Sequence, residues 1–336
     1  MKRYIYVLFM FITLNLWACS DSEPSTDGGG EEVVDKTTDC QSANEKGAYT
    51  TWYKPANGWV GDPIPYYDNG KFYIFYLQDW RSGYPFLHPW HMVYSTDLSS
   101  FTFGGETIPC GKEDEQDVAL GTGGVIKDRT TGEYCAFYTG HQWKWQEMGV
   151  PTQAILLTTS KDMKTWTKKG EHNFYLSLRG QSGYVENDCR DPHVFYDEED
   201  GLYKMVVTTH TDAGATLALF TSKELQNAKA WTLQEPLYTD PNIWVMECAD
   251  VFKEGEYWYL TYSDVADRKV HYRYAKSLKG PWTKPANDIF DGIALGKVIL
   301  KLCHSNLHVG KQIGYLEKKL LLNAYVCLRA GRADCA

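Results

Sequence analysis

The sequence predicts an all-β protein and, within that class, a five-bladed β-propeller whose fifth blade is incomplete or atypical. From residue 49 onward the chain repeats one unit. Each unit begins with a short polar segment, called the head here, and continues with a β-hairpin that is rich in aromatic residues and has glycine in its turn. Another strand follows, and then a Ser-x-Asp-like turn, called the closing turn, leads to an aromatic residue and a threonine. The serines of these turns, 65, 62 and 55 residues apart, are Ser95, Ser160, Ser222 and Ser277. A four-stranded antiparallel sheet with its turns requires about this length.

Two other architectures fit the repeats less well. No segment of the repeat region sustains an apolar period of 3.6 residues, which disfavours a helical repeat. A two-sheet sandwich is the remaining alternative, but it does not explain why the same order of head, hairpin and closing turn keeps returning. Repeated four-stranded sheets are typical of propeller blades.

Composition narrows the class of ligand. The chain has 336 residues, 43% of them hydrophobic and 15% aromatic, enough to bury a large core. Most of the 24 Tyr and 12 Trp belong to strands and core, although aromatic rings also line clefts that bind sugars. The net charge of −9 argues against nucleic acid and anionic membrane surfaces as partners, so we expect a neutral ligand.

The first 48 residues are predicted to be an export and anchoring segment. Residues 1–19 combine a basic start, a short apolar run and a final Cys19, the pattern of a lipoprotein-type signal peptide. An ordinary signal peptide cut near Ala18 is the alternative. Residues 20–48 read as a flexible acidic tether. We therefore expect an exported protein, periplasmic or on the cell surface, that meets the bacterial outer membrane only through a lipid on Cys19.

The remaining eight cysteines show no metal-binding spacing such as Cys-x-x-Cys. An exported protein is permitted disulfides, so their pairing stays open. Cys189 and Cys248 each lie next to a head residue described below, and strand alternation predicts that both point away from it. We interpret them as small buried residues rather than nucleophiles.

Three acidic heads carry the functional prediction. Asp62, Asp191 and Glu247 each precede a strand pair and are predicted to hold one structural position in three copies of the unit. Because the first strand of every blade lines the central channel, these carboxylates should converge at one end of it. The second unit has Gly121-Thr122-Gly123-Gly124 there, which leaves room for a ligand.

Clustered carboxylates repel one another, so their pKa values move apart. One acid then stays charged as a nucleophile while another keeps a proton, the pair that a glycosidase needs. The structural alternative is that each acid merely pairs with an arginine or caps a turn. That alternative explains single acids well, but it does not explain three at one equivalent position.

The motifs themselves resemble a known family. Trp59-Val60-Gly61-Asp62-Pro63, Arg190-Asp191-Pro192 and Glu247-Cys248-Ala249-Asp250 resemble, in this order, the three signatures of glycoside hydrolase family 32. This family contains the fructan hydrolases: levanases, inulinases and invertases. The resemblance spans about residues 49–292, which we take as the propeller glycosidase domain.

The resemblance implies a role for each head. Asp62 would be the nucleophile of a retaining hydrolase, Glu247 the general acid and base, and Asp191 the stabiliser of the transition state, with Arg190 holding Asp191 ionised. The expected substrates are fructans such as levan or inulin, or sucrose, and the expected enzyme is a monomer without a metal or organic cofactor. Further substrate-binding residues are predicted at four positions: Trp59, Gln78, Trp90 and Thr122.

One motif departs from the family pattern, which keeps two other functions open. The family usually has Asn-Asp-Pro-Asn-Gly at the nucleophile, where this chain has Gly61-Asp62-Pro63-Ile64-Pro65. A related five-bladed furanosidase or xylosidase acting on arabinan or xylan is one alternative. A catalytically silent carbohydrate-binding propeller is the other. Arg190 and Cys248 favour the fructan type, while endo or exo action depends on loops at the channel mouth and stays open.

Residues 293–336 do not continue the repeat. The aromatic hairpin and the Trp-Thr closing pair are missing, three of the nine cysteines fall here, and no C-terminal β-sandwich is evident. We expect this atypical tail to be a frameshifted remnant of the fifth blade. A continuation of the propeller in another reading frame of the DNA would support that expectation.

Overall fold

Four antiparallel sheets make up the protein in a computed structural model that describes residues 53, 55, 58–79, 88–98, 100–144 and 151–290. The predicted signal peptide with Cys19, the tether before residue 49 and the 293–336 tail lie outside these residues. The prediction of five blades therefore stays a prediction. Among the residues described, no helix is long and apolar enough to cross a membrane.

Each sheet is formed by strands in sequence order, as expected for a propeller blade. The first blade contains β1 (Trp59–Asp68), β2 (Lys71–Asp79), β3 (Trp90–Ser95) and β4 (Thr102–Ile108). The second contains β5 (Ala119–Lys127), β6 (Tyr134–His141), β7 (Gln153–Ser160) and β8 (Trp166–Lys168). The third contains β9 (Arg190–Asp197), β10 (Leu202–Thr211), β11 (Gly214–Ser222) and β12 (Thr232–Leu233), with β13 (Tyr238–Asp240) added beside β11. The fourth contains β14 (Met246–Glu254), β15 (Tyr257–Asp264) and β16 (Lys269–Ala275).

The closing turns end the third strand of each blade, as predicted. Ser95 and Ser160 are the last residues of β3 and β7, and each hydroxyl accepts the backbone N–H groups two and three residues on. The aromatic-threonine pair then begins the outermost strand at Thr102, Trp166 and Thr232. In the fourth blade Thr283 forms the equivalent bridge to β16. Serine hydroxyls that mimic a backbone acceptor explain why this turn recurs.

The hydrophobic core lies between neighbouring sheets rather than at the centre of the molecule. One cluster joins the first and second blades, another the second and third, and another the third and fourth. The first strands β1, β5, β9 and β14 contact one another in series. This face-to-face stacking confirms the propeller and places the heads of the four first strands side by side.

Candidate active site

The first strand of each of the four described blades carries a one-residue β-bulge at the same place. In β1 the pairing with β2 jumps from Gly61–Leu77 to Ile64–Phe75, so β1 has one more residue than its partner in this interval. The same jump occurs in β5, β9 and β14. The bulged pairs are Asp62-Pro63, Gly121-Thr122, Asp191-Pro192 and Cys248-Ala249. Proline is compatible with a bulge because no ladder hydrogen bond is needed there.

Three bulges place a non-glycine residue in the left-handed backbone region. The φ angles are 38° at Asp62, 55° at Asp191 and 52° at Cys248. Such residues cost about 1–3 kcal/mol each and persist where the surrounding structure holds them, often at functional sites. In the second blade a Cβ on Gly123 would lie 1.9 Å from the Phe137 carbonyl oxygen, so glycine is required there.

The register corrects one sequence prediction. Asp62 and Asp191 do hold equivalent positions, but the third residue at that position is Cys248. Glu247 is one residue earlier and is equivalent to Gly61 and Arg190. A bulge lets two neighbouring residues face the same side, which also explains why Cys248 lines the cavity instead of pointing away from it.

All three predicted carboxylates line one cavity of about 230 Å³. Asp62, Asp191 and Glu247, which are 129 and 56 residues apart in sequence, meet there with Arg190 and Thr122. The other residues of the wall are Leu77, His88, Ala119, Leu120, Gly121, Thr139, His141, Gln153 and Cys248. The cavity lies at the end of the channel where the first strands begin.

Asp191 is a buried acid whose pKa lies above its usual value. Its side chain is almost completely buried, and this burial raises its pKa to about 6. The guanidinium of Arg190 and the N–H of Cys248 oppose the rise in pKa, while the charges of Glu247 and Asp62 add to it.

Arg190 connects the carboxylates of two blades. Its Nε lies 3.8 Å from Asp191 Oδ2, and its Nη2 donates to Glu247 Oε1 at 3.5 Å. The other guanidinium nitrogen forms an ion pair with Asp188, which also pairs with His210. Since a guanidinium is planar and always charged, this arrangement orients the carboxylates of Asp191 and Glu247.

The backbone of the Asp191 bulge is bound from two sides. Its N–H donates to Thr139 Oγ1 at 2.9 Å, and the same hydroxyl donates to the Thr122 carbonyl at 3.1 Å. From the fourth blade, the Cys248 N–H donates to Asp191 Oδ2 at 3.0 Å. Residues of the second and fourth blades thus hold the backbone and side chain of Asp191.

Sequence reasoning missed four polar residues of the wall: His88, Thr139, His141 and Gln153. Burial and then the nearby Arg190 lower the pKa of His141, so its ring is neutral at neutral pH. Thr139 and His141 end β6, the strand that pairs with the β5 head. The sequence did offer a signal for Thr139 and His141, because both lie on the strand that pairs with the head of β5.

The predicted binding residues divide into those at the cavity and those behind it. Thr122 lines it, whereas Gln78 and Trp90 do not. Gln78 is buried and follows Leu77, which lines the cavity, so alternation directs Gln78 to the other face of the strand. Trp90 is fully buried, and its Nε1 donates to the carbonyl of Gly121 at 2.9 Å. The side chain of Trp59 lies outside the described part of the structure.

The cysteine prediction is confirmed in part. Cys189 and Cys248 are both buried, and burial raises the pKa of Cys189 to about 12, so Cys189 is not a reactive thiolate. Within the described ranges, Cys135 and Cys189 are free thiols.

One group outside the cavity has donor atoms close enough for a metal. The ligand atoms of Asp264, Asp267 and His271 lie within 4.8 Å of one another near the turn between β15 and β16. Both nitrogens of His271 already contact carboxylates, of Asp267 and Asp288. An acidic turn of this kind does not by itself indicate a metal.

Comparison with known proteins is consistent with this geometry. Residues 52–288 match the model of the glycosyl hydrolases family 32 N-terminal domain. The levanbiose-producing levanase of Bacillus subtilis (strain 168) is 26% identical over 262 residues, which cover 76% of this chain and 45% of that protein. Raffinose invertase of Escherichia coli is 26% identical over 237 residues, which cover 67% of this chain and 46% of that protein. The chain spans about half the length of these curated relatives.

Solved structures share the fold. Fructan 1-exohydrolase IIa of Cichorium intybus superposes with a TM-score of 0.58 at 17% identity, over 72% of this chain and 47% of that one. The exo-β-1,3-galactanase of Phanerochaete chrysosporium gives a TM-score of 0.53 at 14% identity, over 71% and 53%. At these identities the likeness concerns the propeller alone.

Proposed function

Because this chain belongs to glycosyl hydrolase family 32, we propose that it is a retaining glycoside hydrolase that cleaves fructosidic bonds in fructans such as levan or inulin, or in sucrose. The observation that carries the proposal is the meeting of Asp62, Asp191, Glu247 and Arg190 at one cavity. The levanase and invertase among the relatives support a fructoside as substrate.

In the first step of the proposed reaction, a carboxylate oxygen of Asp62 attacks the anomeric carbon of the fructosyl unit. The bond to the leaving oxygen breaks as Glu247 gives that oxygen its proton, and a covalent fructosyl ester forms on Asp62. Arg190 contacts Glu247 and orients its carboxyl group.

In the second step, Glu247 accepts a proton from water, and the water oxygen attacks the same carbon. The ester bond to Asp62 breaks, and fructose leaves with its original anomeric configuration. Asp191 would bind sugar hydroxyls and balance the positive charge that develops on the ring. Its burial strengthens that interaction because the local dielectric is low.

The test is hydrolysis of levan, inulin and sucrose by the full chain beside Asp62→Ala and Glu247→Gln. We expect fructose or fructo-oligosaccharide release, with kcat lower by on the order of 10³-fold or more in both variants. Glu256→Gln, which changes an exposed carboxylate in the β14–β15 turn, is the matched control and should keep wild-type activity. Equal activity of wild type and both cavity variants would contradict the assignment.

A second candidate substrate is another furanoside. Gly61 adjoins Asp62 but offers no side chain to the cavity wall, so a hydrogen bond available from a polar residue there is missing. Arabinan and arabinoxylan therefore belong in the same assay. Release from these alone would keep the reaction class and change the substrate, whereas sugar binding without turnover would indicate a silent propeller.

A further inference from the structure

Two exposed tryptophans, Trp143 and Trp244, lie close to residues of the cavity. Within the described ranges, four large hydrophobic side chains are exposed: Phe103, Trp143, Val185 and Trp244. Trp244 is 67% exposed and precedes Glu247 by three residues. The ring of Trp143 packs 6.0 Å from His141, which lines the cavity. Exposed apolar side chains such as Trp143 and Trp244, next to a cavity, are a feature of binding surfaces.

The Trp244 segment is connected to the cavity by a chain of polar contacts. His210 Nε2 lies 2.5 Å from the Trp244 carbonyl, and since a carbonyl only accepts, the ring donates there. Nδ1 of the same ring contacts Asp188, whose other oxygen pairs with Arg190 of the cavity wall. Val185 joins the same cluster because its N–H donates to the His210 carbonyl at 3.1 Å. Trp244 is thus fixed in place while its side chain remains in solvent.

The size of the cavity requires a surface of this kind if the substrate is a chain. About 230 Å³ is smaller than the roughly 300–1,000 Å³ of ordinary ligand pockets, and it suits a single sugar unit. Any further units must leave through the mouth, and Trp244 is connected to the cavity wall through His210, Asp188 and Arg190. An indole face matches the apolar face of a sugar ring.

We propose that Trp244 is a stacking platform for sugar units of the substrate beyond the scissile bond, held in position by His210 and Asp188. The proposal rests on the proposed glycosidase function and specifies its substrate class as an oligo- or polysaccharide chain. The contribution of Trp244 should then increase with the number of sugar units.

The kinetic test compares Trp244→Ala with wild type on sucrose, a three- to five-unit fructo-oligosaccharide series, and levan or inulin. We expect the ratio of kcat/KM on the long substrates to that on sucrose to fall about tenfold. Trp244→Tyr should restore most of the ratio, and Phe103→Ala, an exposed aromatic on β4, should leave it unchanged. An equal loss on every chain length, or none, would overturn the platform.

A binding test separates this proposal from the fructosidase assignment. Glu247→Gln is run in native gels that contain levan, inulin, arabinan or arabinoxylan, with and without Trp244→Ala. Retardation by any of these polymers that Trp244→Ala weakens supports the platform, even if wild type releases no fructose. The platform is overturned if Trp244→Ala leaves the retardation unchanged, or if none of the four polymers retards the protein.

Discussion

At the scale of single residues, the site depends on a buried acid whose charge is opposed by its surroundings. Asp191 has only 6% of its surface exposed, and burial raises its pKa to about 6, above its usual value of 3.8. Folding therefore favours the protonated form of Asp191, and ionising this side chain costs more free energy in the folded state than in the unfolded state. Arg190 and the Cys248 N–H offset only part of that cost.

Asp191→Asn should stabilise the protein above about pH 6. With a folded pKa above the unfolded one, the contribution of Asp191 is fully present below about pH 4 and is lost as pH rises through about 6. Asparagine does not titrate, tolerates a positive φ and can still accept from Cys248. Urea unfolding at pH 4 and pH 7.5 should show an advantage of the variant that grows by on the order of 2–3 kcal/mol. A gain in stability that is independent of pH would contradict the raised pKa of Asp191. Activity should fall in either case.

At the scale of elements, the four bulges act as one assembly. Each first strand gains one residue at the same depth, and the hydroxyl of Thr139 at the end of β6 ties the bulge of β9 to that of β5. The bulges thereby turn neighbouring residues such as Arg190 and Asp191 toward the same cavity.

Thr139→Val should destabilise the protein and reduce activity. Valine has nearly the same shape, but it leaves the Asp191 N–H and the Thr122 carbonyl without their shared hydroxyl, at a cost of about 1–3 kcal/mol in free energy of unfolding. Thr158→Val on the adjacent strand β7 is the matched control. Thr158 is completely buried and, among the described residues, its hydroxyl has no hydrogen-bond partner, so its replacement should be neutral or stabilising. Equal effects of the two changes in denaturant unfolding would argue against the role of Thr139.

At the scale of the whole molecule, contacts between blades determine whether the heads meet. Arg273 of β16 is almost fully buried and joins the third and fourth blades. Its Nε donates to the Tyr238 hydroxyl at 2.9 Å, and its Nη2 lies 3.6 Å from Asp240, both in β13. Its Nη1 donates to Asp288 at 2.5 Å. One guanidinium thus binds partners from two blades.

Arg273→Ala should lower the free energy of unfolding by about 3–5 kcal/mol, because it leaves Asp240 and Asp288 without the cation between them. Arg273→Lys should fall in between, since one ammonium group cannot reach all three partners. Lys279→Ala, at an exposed position of the same blade, should change stability by less than about 0.5 kcal/mol. Chemical denaturation measures all three variants, and an Arg273→Ala protein as stable as wild type would show that packing alone joins these blades.

Local chemistry explains what could be predicted from the sequence alone. Short segments of sequence determine the strands rich in aromatic residues, the glycine turns and the closing turns with their serines. The blades and their order could therefore be predicted from the repeat. The motifs around Asp62, Arg190-Asp191 and Glu247 also identify the family and the cavity's acids, because the first strands of successive blades necessarily lie side by side.

Only the tertiary structure decided the details that depend on register and on contacts between blades. The pairing register of β14 with β15 assigns the shared position to Cys248 rather than Glu247. Alternation and packing placed Gln78 and Trp90 behind the cavity wall, and the chain from Arg190 through Asp188 and His210 to Trp244 joins segments that are distant in sequence. The physical reason is that one residue of register reverses the direction of a strand side chain, while the residues that meet across blades are selected by the packing of whole sheets.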